Sequence, residues 1–85
     1  MHNTELDFNT KVLKDLKEEE IIRIYKEILE IRDNGEQNIK STLLYKIAEE
    51  LDKESFKTTV QEQLIRVELY CSMKLAEKYI REHHL

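Results

Sequence analysis

Residues 58–85 read TTVQEQLIRVELYCSMKLAEKYIREHHL, and this stretch decides the fold. It contains neither Pro nor Gly, so nothing in it interrupts a helix. At about 100° per residue its apolar side chains fall into two stripes. Val60, Leu64, Val67, Cys71 and Leu75 form one, and Ile65, Leu69, Met73, Ala76 and Ile80 form the other. A helix that packs on one side needs only one stripe, and a helix apolar nearly all round is normally buried. In a short chain the second stripe implies a central place in a bundle or a surface covered by a partner. Thr59-Val60-Gln61-Glu62 opens the helix as a capping box, in which the Thr hydroxyl and the Glu carboxylate each accept a backbone N–H. From there to His83 the helix spans about 25 residues and roughly 37 Å.

Working back from that helix, Asp52 to Lys57 is a connection, with Phe56 placed to plug the core from the loop. Before it, Leu43, Leu44, Ile47, Ala48 and Leu51 share a face over a helix of about Ile39 to Leu51, capped by Asn38 or Ser41. Asp33-Asn34-Gly35 is the strongest stop signal, because Gly adopts a left-handed C-terminal conformation without a side-chain penalty. The segment before it has Ile21, Ile22, Ile24, Tyr25, Ile28, Leu29 and Ile31 over about half its circumference. Glu18, Glu19 and Glu20 suit its first turn, where carboxylates face the positive end of the helix dipole. A first helix of about Glu5 to Leu16 follows from a Thr4/Asp7 capping pattern and from Leu6, Val12, Leu13 and Leu16, with Phe8 at the edge. Its stripe is out of phase with the next, so a kink or tight turn is expected near Leu16–Glu19, with Asp15 as an N-cap candidate. One continuous helix from 5 to 33 is the alternative, since no residue there forces a break. The expected fold is all-α: residues 1–85 as a single domain, a small antiparallel bundle of three or four helices with a long C-terminal helix.

The chain has 85 residues, enough for one domain that buries only about 60–65% of its unfolded surface. Of these, 38% are charged and 40% apolar, too apolar and too periodic for a disordered chain. The first fifteen residues carry charges throughout and no apolar core, so no signal peptide is read there. No run reaches the roughly 18 apolar residues that span a bilayer. The single Cys71 cannot form an intramolecular disulfide and reads as a small core residue. A cytoplasmic setting without membrane attachment is therefore expected.

The net charge is −4. Its excess of acid lies before residue 58, and residues 58–85 balance four basic against four acidic side chains. With no basic block, nucleic acid is not the expected partner. One segment nevertheless resembles the first helix of a helix-turn-helix, Ile47-Ala48-Glu49-Glu50-Leu51. The resemblance implies a DNA-binding regulator with Thr58, Thr59, Gln61 and Gln63 at the start of a recognition helix, supported by Lys53, Lys57 and Arg66. The connection Asp52 to Lys57 is about two residues longer than that motif's turn and has no Gly, so the unit over Ile47–Gln63 is divergent.

No chemical motif emerges. His83 and His84 are adjacent and so point about 100° apart, unlike an i, i+4 metal pair, and His2 lies at the other end. Ser41, Ser55 and Ser72 lack a neighbouring base, and no Gly-rich loop is present to hold phosphate. No catalytic, cofactor-binding or metal-ligating residue is assigned, and no enzyme activity or cofactor is expected. The expected function is a non-catalytic protein–protein interaction module, a small regulator or inhibitor that docks an apolar, acid-rimmed helical face on a larger protein. A homodimer is compatible with it. Val67, Tyr70, Cys71, Leu75 and Tyr79 are the candidate interface residues, with the Ile65–Ile80 stripe as the other possible face. The tyrosines enter because Tyr tolerates a half-wet site and is enriched in interfaces.

Overall fold

The structure, a computed structural model, describes residues 10–35, 38–54 and 58–83. The expectations on Thr4, Asp7, Phe8, Phe56, His2 and His84 lie outside these residues. The described residues are helical, with no strand among them. They form α1 (Lys11–Lys14), α2 (Glu18–Asn34), a short 3-10 turn (Ile39–Ser41), α3 (Leu43–Lys53) and α4 (Val60–His83).

The break between α1 and α2 falls where the apolar phase shifts. Asp15 closes α1, and the N-cap of α2 is Lys17, not Asp15. Glu20 supplies the cap by turning back to accept the Lys17 backbone N–H at 2.8 Å. A carboxylate three residues into the helix thus makes the reciprocal half of a capping box, satisfying the N–H of the cap residue itself. At the other end Gly35 takes φ +90°, and its N–H closes the helix on the Ile31 carbonyl at 2.8 Å.

The start of α3 differs from the sequence expectation. Neither Asn38 nor Ser41 caps it. Thr42 does, its hydroxyl accepting the Tyr45 N–H at 3.0 Å. Glu27, from the middle of α2, completes the cap: its two carboxylate oxygens accept the N–H groups of Leu43 (3.1 Å) and Leu44 (2.9 Å). A helix leaves its first four N–H groups without intrahelical partners, and here a neighbouring helix satisfies two of them. The capping box of α4 forms as read, with Thr59 N–H donating to Glu62 and Glu62 N–H donating to the Thr59 hydroxyl.

Two ion pairs fix the direction of α2 against α4. Arg32, near the end of α2, pairs with Glu68, whereas Glu18, at its start, pairs with Lys78. Advancing along one helix means retreating along the other, so the two are antiparallel. The core lies where α2, α3 and α4 meet and α1 closes on them through Leu13: Leu13, Ile24, Leu51, Val67 and Cys71 are fully buried, joined by Ile21, Ile28, Leu44 and Tyr70. The molecule measures 40 × 36 × 22 Å. A helix with its side chains is about 10–12 Å across, so the thin dimension holds only two layers. Among the described residues each helix of such a slab keeps one face uncovered, and that is what positions the site.

Candidate docking surface

On α4 the two stripes part company. The first turns inward: Val67 and Cys71 are fully buried and Val60, Leu64 and Leu75 half-buried. The second points away from the slab. Ile65 is 57% exposed, Leu69 45%, Met73 36% and Ile80 50%, and Ala76 between them is exposed too. Single exposed apolar side chains are ordinary, but a continuous row along one helix face is what interaction sites present.

The five interface candidates from the sequence divide accordingly. Val67, Tyr70 and Cys71 are buried against the chain's own helices, Leu75 is half-buried, and Tyr79 is 53% exposed. Burial raises the Cys71 thiol to about 12, a group held protonated and inert. Tyr70 stands in the core with Lys74 Nζ over its ring at 5.6 Å. Tyr79 sits at the edge of the outer stripe and stacks on His83, ring centroids 4.0 Å apart. Which stripe was core and which was free surface was open in the sequence. Both have the same period and similar hydrophobicity, and only the packing of α2 and α3 separates them.

The outer stripe is bordered by charges of both signs. At helical spacing Arg66 and Glu77 flank one edge, and Glu68 and Tyr79 the other. Glu68 is held by Arg32, and Glu77 lies 3.7 Å from Lys74. The acidic rim expected from the sequence is therefore a mixed one.

Positive charge gathers elsewhere. A groove of about 250 Å³ between the α1–α2 connection and α4 is walled by Lys14, Lys74, Lys78 and Arg81 over Leu75. Lys78 is already engaged. Its ammonium donates to Glu82 and lies 3.6 Å from Glu18. The Glu82 bond holds the Lys78 ammonium above its usual range, and the same bond holds the Glu82 carboxyl below its own. Among the described residues no group of three or more His, Cys, Asp or Glu could hold a metal ion, and no helix is long and apolar enough to cross a membrane.

The helix-turn-helix candidates are mostly occupied. Gln63 is 1% exposed and its amide donates to the Thr58 hydroxyl at 2.7 Å, while the Thr59 hydroxyl caps α4. Lys53 is 3.6 Å from Glu50, and Lys57 lies outside the described residues. Of the six that the structure describes, Gln61 and Arg66 keep side chains that are neither buried nor engaged among the described residues. Sequence reasoning placed Gln63 on the surface because Gln carries no apolar signal. Its position four residues before Val67 on the inner stripe was the clue. The chain matches no family model, no curated protein and no solved structure.

Proposed function

We propose that this chain is a non-catalytic protein–protein interaction module, a small regulator that acts by laying the outer face of α4 on a larger protein. The observation that carries the reading is the exposed row Ile65, Leu69, Met73, Ala76 and Ile80 on a helix whose opposite face is firmly packed. A helix in a hydrophobic groove is a common recognition mode, and its anchors recur at the i, i+4, i+7 spacings found here. The mode of action is occlusion: the module covers a surface that the partner needs, with no chemistry of its own. The mixed rim orients the docking, since exposed charges set register and encounter rate more than affinity. The reading places the chain in the cytoplasm, which a single buried thiol suits.

Leu69→Asp tests it. The side chain is exposed, so the fold should survive, as read by far-ultraviolet circular dichroism. A protein that wild type retains from a native-host extract, and that Leu69→Asp loses, supports the reading. Equal retention by a folded Leu69→Asp variant overturns it.

A further inference from the structure

We propose that the outer stripe also pairs with itself: α4 of one chain packs on α4 of a second copy, antiparallel, about a two-fold axis between Ser72 and Met73. This rests on the docking reading above and names one occupant of that surface.

The argument is the symmetry of the stripe. Reversing α4 about that midpoint sets Ile65 level with Ile80 of the second copy, Leu69 with Ala76 and Met73 with Ser72. Each level joins two side chains from opposite edges of the stripe, as in an antiparallel helix seam; Ile65 and Ile80 stand about 60° apart around the helix. Leu69 and Met73, the large residues nearest the axis, each meet a small one, which lets two backbones approach without overpacking. Glu62 and His83 meet where the apolar row ends.

Charge complementarity agrees with the same register. A two-fold axis keeps each flank of the stripe on its own side, so Arg66 faces the flank that carries Arg66 and Glu77 of the second copy. In this register Arg66 lies two positions, about 3 Å, from the level of Glu77 of the second copy, and the symmetry makes the pair twice. Arg66 has no ion pair among the described residues, and the bond of Glu77 is a surface contact of 3.7 Å within its own helix. Within one chain the two are 11 residues apart, about 16 Å along the helix, and cannot meet.

Sedimentation velocity from micromolar to near-millimolar protein tests the pairing on wild type, Leu69→Asp, Arg66→Glu and Arg66→Glu/Glu77→Arg. Wild type should dimerise with concentration and Leu69→Asp should remain monomeric. Arg66→Glu should weaken the dimer about tenfold, the effect of two exposed ion pairs, and the double reversal should restore it. A parallel pair cannot give that rescue, since it sets positions 66 and 77 at opposite ends. Wild type that stays monomeric overturns the self-pairing and leaves the docking reading standing, which falls separately if folded Leu69→Asp loses no partner. Dimers that ignore Leu69→Asp, or that the double reversal fails to restore, also overturn it.

Discussion

Gln63 is the most consequential single residue that the sequence concealed. It is buried at the start of α4, its amide nitrogen bonded to Thr58 and its Oε1 without a partner among the described residues. A buried acceptor left unpaired costs about 1–3 kcal/mol, more than the bond on its nitrogen returns. Gln63→Met keeps the length of the side chain and removes the orphan oxygen, while the half-exposed Thr58 hydroxyl can turn to water. The expected result is a gain of roughly 1 kcal/mol, measured as a rise in the urea midpoint with an unchanged slope. Cys71, read from the sequence both as a small core residue and as an interface candidate, lies fully buried on the inner stripe. Its folded value of about 12 stands above the 9.0 of a free thiol. The unfolded chain therefore loses the proton first as pH rises, and stability is full below pH 9 and falls as pH climbs toward 12. The slope approaches about 1.4 kcal/mol per pH unit for one proton. Cys71→Ala should flatten that decline in alkaline urea titrations, beyond what its lysines and tyrosines contribute in both proteins.

At the scale of elements, helix ends divide into those set locally and those set by a neighbour. Gly35 and the Thr59/Glu62 box act within a few residues of the ends they define, and both were readable. The start of α3 was not, because half of its cap comes from Glu27, 16 residues away in sequence. No local pattern announces a carboxylate reaching across from another helix. Glu27→Ala should therefore behave as a partial cap deletion, made far in sequence from the helix end it weakens and costing about 1–2 kcal/mol. Glu27→Gln should retain part of that, since its carbonyl accepts one N–H but carries no charge for the helix dipole. Chemical denaturation of the three proteins orders them; equal stability of Glu27→Ala and wild type would mean that Thr42 alone caps α3. The same distinction explains the two stripes of α4. Their existence is a property of one helix and was visible, whereas which of them is core depends on where α2 and α3 sit.

The whole molecule is a two-layer slab with one helix longer than its support. α2 reaches α4 from Glu68 to Lys78 through its two ion pairs, and α3 packs toward the N-terminal half, with Leu44 and Tyr45 near Leu64 and Ile65. Beyond Lys78 every described residue of α4 is exposed. Local stability follows packing, so opening of α4 should be graded along its length and not all-or-none. Amide hydrogen exchange in dilute protein should be slowest around Val67–Cys71, where global unfolding sets the rate, and should quicken steadily from Ala76 to His83. Removing a core side chain sharpens the test. Ile24→Ala, at a fully buried core position on α2, should cost about 2–5 kcal/mol. It should speed exchange at Val67–Cys71 by the full amount while leaving residues 79–83 almost unchanged, because those amides already exchange through fraying. A uniform acceleration along α4 would instead mean that its outer end is locked to the core. In that case the exposed row from Ile65 to Ile80 would be a rigid platform along its entire length.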